Sequence, residues 1–320
     1  MTKPLVGLFI NPMAGRDIRR LVAHAAMTTG PAKRLAMMRI AAGVRAAGAG
    51  LLVADDQEGL GRAVVQDNPE AELLPSPMLY GPDLTREWVR DLEDQGARVL
   101  IAVGGDGTQR VVASQTPGIP VLPVGGGTNN VVCWTGDETA AGLAAGRVAM
   151  GQPSTARPAK LIHVERGQDH EVALVDVAHI QRAQLGAAAV WDSDAVLVVL
   201  LTLADPVRPG LSSPGGQVRP VSAVDDWGIQ LRMAPPDHPG RNVQAVVAPG
   251  LVQDFRVMSS RRVALDRPVV WRNREAATLA FDGEREMLLA PGDTVRLTIR
   301  RDGPRLLDPG EVLRPRRRRV

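Results

Sequence analysis

Residues 99–108 read Val99-Leu100-Ile101-Ala102-Val103-Gly104-Gly105-Asp106-Gly107-Thr108, an apolar run that ends in a glycine-rich pentapeptide. The apolar half has no polar alternation, which predicts a strand covered on both faces, as in a parallel sheet flanked by helices. The glycine-rich half cannot continue that strand. Gly104, Gly105 and Gly107 let the backbone turn tightly and approach a ligand, and Asp106 among them is expected to face the crevice at the strand's carboxyl end. A bare Gly-Asp-Gly is most often only a turn. Here the string ends a buried strand and runs into the helix-compatible segment Thr108 to Ala113, so it reads as a strand-to-helix junction suited to phosphate. It fits neither the Gly-x-Gly-x-x-Gly dinucleotide spacing nor a Walker loop, since no Gly-Lys-Ser/Thr follows.

A second junction follows with the same grammar. Ile119 to Val124 is a short apolar run with prolines at its margins, and Gly125-Gly126-Gly127-Thr128-Asn129-Asn130 opens a segment expected to start a helix capped by Thr128 or Asn129. Amides at a helix start, with the helix dipole behind them, attract phosphate, so two such junctions side by side predict a polyphosphate cradle.

These strings, together with Leu279-Ala280-Phe281-Asp282-Gly283-Glu284, resemble in order and spacing the superfamily of NAD kinases and diacylglycerol or sphingoid kinases. The amino-terminal stretch from Ile10-Asn11-Pro12-Met13-Ala14-Gly15 to His24 is similar to the ATP-NAD kinase-like branch associated with acetoin catabolism, so the resemblance covers nearly the whole chain. It implies an NAD kinase-like fold and ATP-dependent transfer of a phosphoryl group to a hydroxyl of NAD or a related small molecule. The alternatives are a lipid kinase-like enzyme and a non-catalytic nucleotide-binding accessory protein of acetoin catabolism. By the same resemblance Asp106 is catalytic, either accepting the hydroxyl proton or helping to hold Mg²⁺ that arrives with ATP. Asn11, Gly15, Gly104, Gly105, Gly107, Thr108, Gly126, Gly127, Thr128, Asn129 and Asn130 are the expected phosphate-binding residues. Asp282, Gly283 and Glu284 are an expected contribution from the second half, although in isolation they read as a hairpin turn. Two positions depart from the family patterns. An amide, Asn130, stands where the lipid kinases carry an acid, and no clear Asn-Glu motif for gripping the nicotinamide nucleotide follows the glycine loops. Polyphosphate is the other donor that such loops suit.

Composition bounds the rest. With 320 residues, 44% hydrophobic and 23% charged, the chain is long and apolar enough for two globular domains. The longest apolar stretch, Ala195 to Ala204, is about half of the roughly 20 residues that a membrane-spanning helix needs. Without a small-residue cleavage site near Met1-Thr2-Lys3-Pro4, a cytoplasmic location is expected. The single cysteine, Cys133, excludes an intramolecular disulfide and reads as a small buried hydrophobe. The five histidines, His24 among them, form no ligand pair, so any metal is expected to be nucleotide-borne Mg²⁺ held by oxygen. The net charge is +3, with Arg316 to Arg319 clustered as a solvated tail; no interleaved aromatics support nucleic-acid binding. Arg16, Arg19, Arg20 and Arg110 lie in or just after the loops expected to face phosphates.

The elements alternate in the first half: strands at Leu5 to Ile10 and Leu51 to Ala54, helices at Lys33 to Ala47, Leu84 to Gln95 and Asp137 to Met150. This pattern predicts a doubly wound parallel sheet for residues 1–152, the nucleotide-binding domain. Short strand-like runs at Leu161 to Val164, Glu171 to Val177, Val243 to Ala248, Val269 to Trp271, Thr278 to Phe281 and Thr294 to Ile299 predict a β-rich, sandwich-like domain over 153–320. That domain is expected to bind the acceptor and, by the resemblance, to form a homo-oligomer. Gly186 to Thr202 reads mostly as helix. Pro206 to Pro220 reads as a flexible loop, with a lid over the glycine cradle as its functional reading.

Overall fold

The computed structural model describes residues 3–15, 29–127, 130–181, 193–235, 237–283 and 285–315. The first unit is built of β1 (Leu5–Ile10), α1 (Gly30–Ala46), β2 (Gly50–Ala54), α2 (Leu60–Asp67), β3 (Glu72–Leu74), α3 (Gly81–Asp94), β4 (Ala97–Gly104), α4 (Asp106–Ser114), β5 (Val121–Gly125) and α5 (Glu138–Ala149). Its five strands lie parallel in the order β3-β2-β1-β4-β5. Side chains leave β1 and β4 on alternate faces. Val6, Leu8, Ile10, Val99, Ile101 and Val103 pack with Met37, Ile40 and Val44 of α1 and the alanines of α5. Phe9, Leu100 and Ala102 pack with Trp88, Val89 and Leu92 of α3. Both faces are therefore apolar and covered, which is why these strands lack polar alternation.

The second unit contains β6 (Leu161–Arg166), β7 (Asp169–Ala173), β8 (Asp176–Ile180), β9 (Val196–Leu201), α6 (Ser212–Val218), β10 (Trp227–Met233), β11 (Arg241–Ala248), β12 (Leu251–Ala264), β13 (Val269–Arg272), β14 (Ala277–Phe281), β15 (Arg285–Leu289) and β16 (Thr294–Arg300). They form an antiparallel seven-stranded sheet, β11-β12-β10-β9-β8-β14-β15, and a four-stranded sheet, β13-β16-β6-β7. Ile162, Val164, Leu297 and Ile299 of the smaller sheet share a core with Val177, Leu200, Leu279 and Phe281 of the larger one. The chain then returns to the first unit. Val121 pairs with Leu306, and α7 (Pro309–Leu313) places Val312 in the core beneath α1 and α5.

Four local expectations need correction. No helix follows Gly125–Gly127: residue 130 onward is irregular until α5, capped by Asp137, whose Oδ1 accepts the N–H groups of Thr139 (2.8 Å) and Ala140 (3.2 Å). The intervening segment folds back on β5 instead, through Trp134 N–H to Pro123 O (2.8 Å) and Gly125 N–H to Trp134 O (2.8 Å). Within Gly186 to Thr202, residues 193–195 form a short 3₁₀ turn and Val196–Leu201 is a central strand, because sheet pairing on both sides overrides helix propensity; residues 186–192 lie outside the described residues. Glu171 to Val177 is two strands, not one, with the chain passing from the four-stranded to the seven-stranded sheet at Leu174-Val175. Pro206 to Pro220 is a packed segment carrying α6, not a flexible loop. The hydroxyl of Ser212 accepts Asp205 N–H (3.0 Å) and that of Ser213 accepts Val246 N–H (3.1 Å), so its polar residues are buried by satisfying backbone groups.

Lys160 lies at the junction of the two units, 3% exposed, and donates to the carbonyls of Ser222 (3.0 Å) and Trp227 (2.8 Å). Burial, reinforced by the charge of Arg301, pulls its ammonium from 10.5 down to about 8. Between those values the unfolded chain binds the proton more tightly, so stability should rise with pH. The expected gain is on the order of 2 kcal/mol between pH 8 and pH 10. Urea unfolding at both pH values tests this; the same pH slope in Lys160→Met would refute the assignment to Lys160.

Candidate functional site

The site starts from one register pair. Gly104 at the end of β4 is the partner of Gly125 at the end of β5, and Gly126 N–H donates to Gly104 O at 3.1 Å. The two glycine loops therefore leave the sheet side by side. A side chain at Gly104 would put its Cβ 2.5 Å from Thr108 Oγ1, so only glycine lets α4 begin so close to the strand. On the other side of β4 lies β1, whose Asn11 continues the ladder through its N–H to Val103 O (2.9 Å). The chain runs from β1 outward to β2, whereas β4 lies on β1's opposite side, so the strand ends open at a topological switch point.

Side chains stitch the three loops together. Asn11 Nδ2 donates to Thr108 Oγ1 (2.9 Å), while its Oδ1 accepts Met13 N–H (2.9 Å). Gly15, at φ 74°, ends the Asn-Pro turn. Asp106 opens α4 after Gly105, which provides no side-chain cap. Its carboxylate is 3% exposed and accepts the N–H groups of Val131 (2.9 Å) and Val132 (3.2 Å), tying the second loop to the first. Asn130 closes its own loop, accepting from Gly127 N–H (3.3 Å) and donating to Gly127 O (2.8 Å). Cys133 is buried beside Gly104 O, as expected of a small hydrophobe. Thr128, Asn129, Glu284, His24, Arg16, Arg19, Arg20 and the Arg316 to Arg319 tail lie outside the described residues.

Crevices open on both faces of the strand ends. One, of about 380 Å³, is lined by Asn11, Pro12, Trp88, Gly107, Thr108 and Arg110. The other, of about 290 Å³, is lined by Ala14, Lys33, Arg39, Gly125, Gly126 and Glu138. Lys33 is 1% exposed and donates to Pro12 O, and Arg39 pairs with Glu138 at 3.1 Å. Lys33 and Arg39 were not among the residues expected at the site, although Lys33 falls on the apolar stripe of α1 with Met37, Ile40, Ala41 and Val44. Arg110, which was expected to face phosphate, lies one helical turn beyond Asp106.

The second unit reaches the site through Asp282. It occupies the turn between β14 and β15 at φ 49°, followed by Gly283 at 71°. Its carboxylate accepts N–H groups from Leu174 (2.8 Å), Val175 (2.7 Å) and Asp176 (3.0 Å), and Arg110 Nε of α4 stands 4.0 Å away. Burial pushes the Asp282 carboxyl above its ordinary range, and those amide donors together with Arg110 pull the other way. Asp282 thus braces the chain where it crosses between sheets and faces the first unit. Arg208, from the segment before α6, donates to Asn130 O at 3.1 Å.

Comparison with known proteins agrees with this architecture. Residues 40–145 match the model of the ATP-NAD kinase N-terminal domain, and residues 160–302 match that of the acetoin catabolism protein X C-terminal domain. The chain is 31% identical to acetoin catabolism protein X of Cupriavidus necator, over 97% of its own length and 92% of that protein. Among solved structures it is similar to yeast NADH kinase complexed with NADH (TM-score 0.54, 13% identity, covering 97% of this chain and 85% of that one). It is also similar to a putative diacylglycerol kinase from Bacillus anthracis (TM-score 0.53, 12% identity, 97% and 99% covered). At these identities the structural likeness is one of fold, a parallel α/β unit followed by an antiparallel β unit.

Proposed function

The chain belongs to the acetoin catabolism protein X family, and we propose that it binds ATP at the strand ends and transfers a phosphoryl group to a hydroxyl of NAD or a related small molecule. The observation that carries this reading is the pairing of Gly104 with Gly125, which sets two phosphate-sized backbone loops beside Asn11 at a switch point. Phosphoryl transfer asks a protein chiefly for positioning and charge neutralisation, with one group to take the nucleophile's proton. In this reading the acceptor oxygen attacks the terminal phosphorus, the bond to the bridging oxygen breaks, ADP leaves, and the hydroxyl proton passes to Asp106. The N–H groups of Val131 and Val132 hold the two Asp106 oxygens between the loops, where that proton would be received.

Among the described residues no group of three His, Cys, Asp or Glu side chains forms a metal cage. The residues present fit Mg²⁺ held mainly by nucleotide phosphates, with the Asp106 carboxylate between the two loops as a protein oxygen donor. The ion would supply neutralisation of charge on the transferred group. No described helix is long and apolar enough to cross a membrane; a cytoplasmic location and assembly through the β unit are proposals that accompany the kinase reading.

Labelled ATP with Mg²⁺ and a panel of NAD, NADH, diacylglycerol, sphingosine and acetoin tests it. Transfer to a nicotinamide dinucleotide is expected, reduced at least ~100-fold in Asp106→Asn. Label on diacylglycerol would replace the acceptor with a lipid. Tight ATP binding with every acceptor unlabelled would overturn the kinase and leave a nucleotide-binding accessory protein.

A further inference from the structure

We propose that Arg110 is the phosphate-recognition residue of the larger crevice: its guanidinium grips a phosphate dianion resting against the first turn of α4, with Asp282 as the positioning residue behind it. The proposal rests on the polyphosphate reading of the strand ends and names the side chain that decides it.

A guanidinium carries five N–H donors, and buried donors are normally satisfied. Arg110 is 8% exposed, yet its Nε has no hydrogen-bond partner, and no bond joins its terminal nitrogens to any described residue. Its nearest charge, Asp282 Oδ2, is 4.0 Å away, and that carboxylate is already held by three backbone N–H groups. Asp282 therefore balances the charge of Arg110 without using its donors. Arg110 lines the cavity of about 380 Å³, within the size range of small-molecule sites, beside Asn11, Gly107 and Thr108. There α4 begins without a side-chain cap, and Gly107 and Thr108 of its first turn line the same crevice as Arg110. A planar, always-charged fork suits a phosphate held by two oxygens at once. An isolated carboxylate would fill less of that donor set.

The test measures binding of ADP, pyrophosphate and inorganic phosphate to the full chain, without Mg²⁺, by calorimetry for wild type, Arg110→Lys and Arg110→Met. The expected result is at least tenfold weaker binding of ADP and pyrophosphate in Arg110→Met, with Arg110→Lys between. Inorganic phosphate binding as tightly as ADP would identify a free phosphate as the ligand; tighter ADP would identify the nucleotide. The ligand-free thermal midpoint is measured alongside: Arg110→Met leaves the buried Asp282 charge uncompensated and should lower it, while the ligand-induced rise disappears with the binding. Wild-type binding retained within twofold in Arg110→Met overturns the proposal alone. A large fall in the ligand-free midpoint with binding intact does the same, by making Arg110 structural. A wild-type chain that binds none of the three overturns both this proposal and the polyphosphate reading.

Discussion

Asp282→Ala is expected to destabilise the protein by about 3–5 kcal/mol, the range for breaking a buried, hydrogen-bonded charge. The substitution strands the N–H groups of Leu174, Val175 and Asp176 in the interior and leaves the Arg110 guanidinium without a counter-charge. Each abandoned buried donor costs about 1–3 kcal/mol, and a non-glycine residue without a short polar side chain also strains at φ 49°. Asp282→Asn should cost roughly half as much, since it keeps one acceptor oxygen and tolerates the left-handed region but loses the charge. Urea unfolding of the two variants measures this. A loss below about 1 kcal/mol in Asp282→Ala would mean that water replaces the carboxylate, and that the turn does not brace the crossing.

The second large effect is expected at Gly142→Ala. A Cβ there would lie 2.0 Å from Ile40 O, and one at Gly43 would lie 2.2 Å from Thr139 O, so α1 and α5 pack backbone against backbone. In an exposed helix the same change would stabilise by about 1 kcal/mol through helix propensity. Here it forces the helices apart, with an expected cost of about 3 kcal/mol. Gly30→Ala, where the added carbon meets nothing within 4 Å, serves as the control and should change stability by less than about 0.5 kcal/mol. Because α1 carries Lys33 and Arg39 and α5 carries Glu138, Gly142→Ala should also widen the smaller crevice. A stabilised Gly142→Ala would show that the helices can separate at no cost, contrary to their close crossing.

Much of the first unit was legible because β1 and residues 99–104 of β4 are short apolar runs, stopped by Asn11-Pro12 in one case and by glycines in the other. Leu5 to Ile10 and Val99 to Gly104 could hardly be anything else once helices were expected on both sides. The β unit was readable as strands but not as sheets. The long strand Leu251–Ala264 alternates exposed and buried residues irregularly, and its partners β10 and β11 can be assigned only from the folded chain. Residues 130–137 misled because a glycine cluster followed by Thr-Asn-Asn is good helix-start chemistry. The competing pairing of Trp134 with β5 is non-local, and no propensity reports it. Pro206 to Pro220 misled for the opposite reason, since its turn-forming serines and glycines are consumed by packing.

Within the site, the sequence alone determined that Gly104 to Thr108 ends a buried strand, that a second glycine loop follows, and that Asp106 is the acid between them. Those are local facts, set by backbone sterics and by the run of apolar residues. Only the tertiary structure decided that Gly104 faces Gly125 and that both Asp106 oxygens take the amides of the second loop. It alone showed that Asp282, far along the chain, stands behind Arg110 and leaves that guanidinium's donors unspent. Register and burial are properties of pairs distant in sequence, and a polar group's partner is known only when the whole chain has closed around it.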